Sequence, residues 1–204
     1  MEQGTEEWFK ARLGKVTASR VADVIAKTKS GYSTSRDNYM AQLICERLTG
    51  QQGESFSNAA MAWGSETEPL ARSAYENARG LLVTEVGFVN HPNIEMAGAS
   101  PDGLVETLGM LEIKCPNTAT HIDTLLSLLV PTKYNTQMQW QMRCCNRKWC
   151  DFVSFDPRLP QDLQLFIKRV DFDSVYVAIL EKEVNLFLEE LVDKIKKLPR
   201  VKNV

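Results

Sequence analysis

Residues 100–116 read SPDGLVETLGMLEIKCP, and the pattern of this stretch decides the fold. Ser100-Pro101-Asp102-Gly103 has the composition of a turn. Leu104-Val105 and Met110 to Lys114 are short strand-forming runs, and Glu106 to Gly109 between them suits the connection of a hairpin. Pro116 carries no amide hydrogen and ends the second strand. Alternate side chains of a strand share a face, so Glu112 and Lys114 lie on one side, about 7 Å apart along the backbone, while Leu111 and Ile113 turn into the core. With Asp102, two carboxylates and an ammonium converge. Phosphodiester hydrolysis asks for hard oxygen ligands to a divalent cation, neutralisation of the phosphate and a positioned water. Asp102 and Glu112 supply the first and Lys114 helps with the others. Taken alone, the spacing fits equally well an exposed strand of alternating charge behind an ordinary Pro-Asp turn.

Outward from this hairpin the chain is helical on both sides. Immediately upstream, Leu82 to Val89 carries Val83, Val86, Phe88 and Val89 as a strand, His91-Pro92-Asn93 reads as a turn, and Met96 to Ala99 as a second extended piece. Before these, Ser65-Glu66-Thr67-Glu68 has the form of a capping box and predicts a helix from there to Gly80. Another helix is expected over about 37–48, stopped by Gly50, with loops over 28–36 and 51–58. Val21, Val24 and Ile25 recur at helical spacing behind Thr17 or Ser19 as a cap. Downstream, helices over about 118–129 and 134–145 precede strands 151–155 and 165–171 and an amphipathic helix over about 174–197. The order predicts one α/β domain over residues 1–204, a central mixed sheet flanked by helices.

The chain has 204 residues, 44% of them hydrophobic and 25% charged, with no repeat or low-complexity tract. Its longest apolar run, Leu125 to Val130 broken by Ser127, is far short of the roughly 20 residues that span a membrane, so a cytoplasmic protein is expected. The five cysteines, Cys45, Cys115, Cys144, Cys145 and Cys150, suit a reducing compartment. The C-C-x4-C spacing of the last three lacks the C-x-x-C pair that opens most cluster sites, and no iron–sulfur cluster is expected. A net charge of −2 argues mildly against a nucleic-acid partner. The cations near the start, Arg12, Lys15, Arg20, Lys27 and Lys29, weigh the other way.

Further marks accompany the 100–116 stretch in a fixed order. They are R-L-G-x-x-T-A-S at Arg12 to Ser19, A-W-G-x-x-x-E at Ala62 to Glu68, S-P-D-G at Ser100 to Gly103, L-E-I-K-C-P at Leu111 to Pro116, Y-x-x-Q-x-Q at Tyr134 to Gln139, and D-P-R at Asp156 to Arg158. From about Trp8 to Pro157 the sequence resembles the lambda-type exonucleases of phage recombination, grouped with the YqaJ-like viral recombinases in the PD-(D/E)xK nuclease superfamily. The last mark follows Phe155, where that family often has another aromatic residue.

The resemblance implies a restriction-endonuclease-like core and a Mg2+-dependent exonuclease, with Mn2+ able to substitute. Such an enzyme degrades one strand of linear duplex DNA from its 5′ end to mononucleotides and leaves a 3′ single strand for annealing. It further implies that Asp102, Glu112 and the main-chain carbonyl of Ile113 hold metal, that Lys114 orients the attacking water, and that Glu68 stands near a second metal. Glu68 is also explained locally by its place in the capping box. Arg12, Ser19, Ser100 and Gln137 match residues that hold a 5′-phosphate. Guanidinium and hydroxyl groups suit such an anion, as do the free amides of a helix start. A surface arginine and an ordinary serine cap are the plain alternatives. Lys29 matches a duplex-contacting cation and Met61 an apolar wedge between strands, although a solvated lysine and a core methionine explain them as simply. Trp63 and Trp140 read as packing residues. Implied partners are double-stranded DNA ends, two further copies in a ring-shaped homotrimer, and a single-strand annealing protein. A PD-(D/E)xK endonuclease and a non-catalytic DNA-binding recombination subunit are the competing readings.

Overall fold

The run Gly109–Lys114 becomes the middle strand of a five-stranded sheet, and the other elements are arranged about it. The computed structural model describes residues 2–53 and 59–199. Its first elements are α1 (Glu6–Arg12), β1 (Val16–Thr17), α2 (Val21–Ile25), β2 (Lys27–Thr28), β3 (Gly31–Tyr32), α3 (Thr34–Thr49) and α4 (Ala59–Arg79). Then come β4 (Val83–Thr84), β5 (Val89–Asn90), β6 (Ala97–Ala99), β7 (Gly103–Val105) and β8 (Gly109–Lys114). The chain continues through α5 (Thr118–Ser127), α6 (Thr132–Cys145), β9 (Trp149–Phe155), β10 (Leu165–Asp171) and α7 (Ser174–Lys197).

The large sheet has the order β10-β9-β8-β7-β4, with β8 and β9 parallel and every other pair antiparallel. The expected mixed sheet is therefore present. A parallel neighbour requires a long crossover, and α5 with α6 provides it. A smaller sheet has the order β1-β6-β5, in which β1 pairs parallel with β6.

Both faces of the large sheet are covered, and alternate residues divide between them. Leu111 and Ile113 join Val105, Val153 and Phe155 against Ala71 and Tyr75 of α4. Met110, Cys150 and Phe152 meet Met138 and Met142 of α6 on the other side. A third apolar cluster joins α2, α3 and α7 to the small sheet and buries Trp140. Because α6 covers the second face, Glu112 is as deeply buried as Leu111, although the alternation marked only Leu111 and Ile113 as core. Buried Asp151 pins α4 to the sheet. It accepts from the Tyr75 hydroxyl at 2.9 Å and from two Arg169 nitrogens at 2.9 and 3.0 Å.

Several local expectations change. Helix α4 is already formed at Ala59, so Ser65 lies in its interior and Ser65-x-x-Glu68 is not a capping box. The alanines at 59, 60 and 62 favour helix upstream of the serine, and Pro69 is accommodated inside. Residues 28–36 are not all loop, since β2 and β3 pair as a hairpin and α3 begins at Thr34. Neither Thr17 nor Ser19 caps α2. A 3-10 turn over Ala18–Arg20 leads directly into it. The single strand expected over 82–89 is split, with β4 in the large sheet and β5 in the small one. Gly50 ends α3 in the left-handed conformation as expected, at φ 67°. Of the loop expected over 51–58, residues 54–58 lie outside the described residues.

The turn at 91–93 holds a buried histidine. His91 stacks on Trp140 with centroids 4.7 Å apart, and its Nδ1 accepts from the amides of Asn93 and Ile94 at 3.2 and 3.1 Å. The ring proton therefore sits on Nε2, 3.2 Å from Glu181. Burial, only partly opposed by Glu181, pushes His91 down to about 4. A base whose folded value is depressed stays neutral in the native state while the unfolded chain takes up a proton near pH 6.5. The stability His91 contributes is thus intact above about pH 6.5 and is lost as pH falls towards 4, about 3 kcal/mol in all. Urea unfolding at pH 7.5 and 4.5 should show this loss, and His91→Gln should remove about that share of the difference between the two.

Candidate active site

Asp102 sits between β6 and β7, and Gly103, the first residue of β7, lets that strand pack closely on β4. A Cβ there would lie 2.1 Å from a methyl group of Val83 on β4. Asp102 Oδ2 accepts the Ile113 amide at 2.6 Å, which ties the turn to β8. On β8, fully buried Glu112 presents both oxygens to donors from α6. Oε1 accepts from Gln137 Nε2 at 2.6 Å and from Lys114 Nζ, and Oε2 accepts from Gln141 Nε2 at 2.7 Å. Glu68, in the middle of α4, faces the same space and accepts from Arg72 at 2.8 Å. A cavity of about 510 Å³ lies over Glu68, Asp102, Ile113, Lys114, Tyr134 and Met61.

Electrostatics follow from this crowding. Burial and the charge of Glu112 push Asp102 well above the usual carboxylate range, and burial also raises Glu68. Burial works against the charge of Lys114, but Glu112 and Asp102 more than offset it and hold the ammonium above its ordinary value. Asp102 and Glu112 thus share one lysine while Glu68 pairs with Arg72, and a divalent cation would relieve the crowding of the first two. Among the described residues, no three His, Cys, Asp or Glu side chains close around a metal by themselves. Asp102, Glu112 and the Ile113 carbonyl could hold one, being hard oxygens of the kind Mg2+ takes while retaining several waters.

Beside this centre lies a second cavity of about 270 Å³, lined by Arg12, Lys15, Thr17, Ser19, Arg20 and Tyr39 among others. Arg12 NH1 donates to Ser100 Oγ at 3.0 Å, and its guanidinium lies 4.0 Å over the Trp8 ring. Burial pulls Arg12 below its ordinary value, with Tyr39 and Glu46 acting in the opposite sense, and it stays cationic at neutral pH. Among the described residues it forms no ion pair with a carboxylate. Ser19 is exposed on the rim, its hydroxyl 3.5 Å from that of Thr17. Met61 of α4 lines both cavities.

The structure therefore brings Asp102, Glu112, Lys114 and Glu68 together at one centre and Arg12, Ser19 and Ser100 at the other. Gln137 is not in the arginine cavity but on Glu112, because α6 packs against the strand rather than against α1. Lys29 stands at the tip of the β2–β3 hairpin, away from both cavities. Trp140 is buried, and Trp63 lies under Arg158 at 4.4 Å. Arg158 also grips Asp156 and the Pro116 carbonyl, so the D-P-R mark fastens the end of β8 to α4. Sequence reasoning missed Trp8, Arg72 and Gln141. The spacing of Gln137 and Gln141, which puts two amides on one helix face, was the available signal for the last.

Comparison with known proteins bears on this arrangement. The model of the YqaJ-like viral recombinase domain matches residues 7–148. The chain belongs to the YqaJ-like viral recombinase family. Among solved structures, this family member is similar to the alkaline exonuclease LHK-Exo from Laribacter hongkongensis. For its complex with dAMP the identity is 56% and the TM-score 0.89, over 94% of this chain and 95% of that one. A second structure of LHK-Exo matches at 55% identity, with the same TM-score and coverage. A phage related exonuclease from Haemophilus somnus 129PT shares the fold, with a TM-score of 0.75 at 16% identity over 91% of this chain and 96% of that one. No curated protein matches the chain. Family and relatives together support a nuclease role.

The raised value of Asp102 sets a pH-dependent expectation for the metal-free protein. A carboxyl whose folded value is raised stabilises the fold below the unfolded value near 4, and that stability is lost as pH rises through the folded value. Asp102→Asn should therefore raise the melting temperature at pH 8 in EDTA by about 3 °C or more, the shift expected for ~1 kcal/mol in a chain of this size. A melting temperature at or below wild type would contradict the crowding described above.

Proposed function

We propose that this protein is a Mg2+-dependent exonuclease that degrades one strand of linear duplex DNA from a 5′-phosphorylated end to mononucleotides, leaving a 3′ single strand. The observation that carries the reading is half-buried Arg12. It lacks a carboxylate partner among the described residues and is bonded to Ser100, two residues from Asp102. Two residues span at most about 7 Å, of the order that separates neighbouring phosphates on one strand. A terminal phosphate on Arg12, Ser19 and Ser100 would place the next phosphodiester near Asp102 and Glu112, so that each cut frees one nucleotide. The dAMP complex of LHK-Exo, a relative at 56% identity, supports a mononucleotide product.

In this reading Asp102, Glu112 and the Ile113 carbonyl hold Mg2+, for which Mn2+ substitutes, and Glu68 serves a second metal. The bound metal supplies positive charge at the phosphate and lowers the pKa of a water. Lys114, kept charged by Glu112 and Asp102, acts as a cation that orients the water and neutralises the phosphate. Met61, exposed and lining both cavities, would part the strands. Lys29 on its hairpin is available to the duplex backbone. Exposed Ile122, Leu126, Leu128 and Leu129 around the end of α5 give apolar surface that assembly would cover, in keeping with a ring-shaped homotrimer that encloses DNA. Confinement in a ring would also hold DNA with fewer cations than an open surface needs, which answers the net charge of −2. The single strand left behind would be taken up by an annealing protein. No described helix is long and apolar enough to cross a membrane, and we place the protein in the cytoplasm as one nuclease domain.

Digestion of linear duplex with 5′-phosphate or 5′-hydroxyl ends, and of covalently closed circles, tests the reading. Rapid release of mononucleotides from 5′-phosphorylated strands is expected, with circles spared. Lys114→Ala should lower the rate roughly 10²–10⁴-fold. Arg12→Ala should lower the preference for 5′-phosphate about 10–100-fold, the worth of a charge-assisted hydrogen bond. Cutting of circles would indicate an endonuclease, and absence of any metal-dependent cleavage a DNA-binding recombination subunit.

A further inference from the structure

Gln141 is fully buried on α6, between the core methionines Met138 and Met142. Its amide nitrogen donates to Glu112 Oε2 at 2.7 Å and reaches the Ser100 carbonyl at 3.4 Å. Its own oxygen, Oε1, is buried without a hydrogen-bond partner among the described residues. An unsatisfied buried acceptor destabilises a core relative to an apolar side chain of the same length. Packing therefore does not account for a glutamine here, whereas the bonds made by its nitrogen do.

The hydrogen-bond inventory of Glu112 shows what those bonds achieve. A carboxylate offers about four acceptor positions, two on each oxygen. Lys114 and Gln137 both fall on Oε1, and Gln141 alone falls on Oε2. The position left open is on Oε2, the oxygen that Gln141 holds. The other partner of Gln141, Ser100, carries the hydroxyl that receives Arg12 and Trp8 at 3.0 and 2.9 Å. One buried amide nitrogen thus meets both a carboxylate of the metal centre and the backbone of the phosphate cavity.

We infer that Gln141 is a positioning residue that fixes which oxygen of Glu112 is turned to the metal and ties that carboxylate, through Ser100, to the cavity for the 5′-phosphate. The inference rests on the function proposed above. Gln137 has a lesser part, because Lys114 shares its oxygen and keeps it occupied when the amide is gone.

Gln141→Met keeps the length of the side chain and removes the donor. Mn2+ binding to the DNA-free protein, followed by calorimetry, should weaken roughly tenfold or more, the usual effect of losing a group that orients a metal ligand. Gln137→Met should weaken it less. The metal-free melting temperature of Gln141→Met should fall, because buried Glu112 Oε2 loses its donor, and its preference for 5′-phosphorylated over 5′-hydroxyl duplex ends should shrink. Unaltered Mn2+ affinity in Gln141→Met, or equal losses in the two variants, would overturn the inference. If the methionine variant does not fold, Gln141→Asn withdraws the amide by one carbon while keeping it polar, and the same outcomes apply. Failure of the wild-type protein to bind Mn2+ would strike the metal-dependent reading itself, whereas wild-type binding that is unchanged in the variant strikes only the role of Gln141.

Discussion

A carboxylate with no exposed surface, Glu112, must be held by charge and by hydrogen bonds, and this constraint organises the molecule. Removing an ion of this kind from water costs several kcal/mol even after relaxation, and the cost is recovered only where partners satisfy its lone pairs. Lys114 supplies the charge from two residues along the same strand, and Gln137 and Gln141 supply amides from successive turns of α6. The central place of β8, the long crossover that returns β9 beside it, and the close seating of α6 on the sheet all follow. Without that helix over its face, Glu112 would be an exposed strand residue.

The segment Ser100–Asp102 then joins two kinds of chemistry. Its first residue faces Arg12 and Trp8 from α1, and its third faces the carboxylate and lysine of β8. Helix α1 owes its start to the Thr5 cap, which accepts the Trp8 amide. The backbone after it is held by Gly14, where a Cβ would come within 2.8 Å of the Arg47 side chain. Such close packing gives the cavity over Arg12 and the centre at Asp102 a fixed separation, which the proposed removal of one nucleotide at a time from a strand end would require.

The strand was legible in the sequence because alternation in LEIK separates apolar from charged positions, whereas its chemistry was read from the resemblance, since the spacing alone fits an exposed charged strand equally well. The ends of α3 and α7 were legible for similarly local reasons, a left-handed glycine in one case and a long amphipathic repeat in the other. What escaped depended on tertiary context. Ser65-x-x-Glu68 fits a helix start and a helix interior equally well, and only the upstream alanines tip the balance. The β2–β3 hairpin has strands of two residues, too short to leave a periodic signal. Gln137 was placed with the phosphate by resemblance, yet its partner is Glu112. Its neighbour in the same mark, Gln139, turns away to bond Asp171 and Asp173 and fastens α6 to the start of α7. Gln141, one turn beyond Gln137, could have been paired with it by spacing, but nothing local says which carboxylate the pair would meet. That Arg12 forms no ion pair with a carboxylate among the described residues is likewise a property of the folded chain alone.

The most direct test of this account is a crystal of the protein grown with Mn2+ and examined for anomalous scattering. The account predicts a peak bonded to one oxygen each of Asp102 and Glu112 and to the Ile113 carbonyl, at about 2.1 Å as for the hard cations of such sites. A metal bound elsewhere, or Asp102 and Glu112 left without one while Mn2+ supports cleavage, would contradict it.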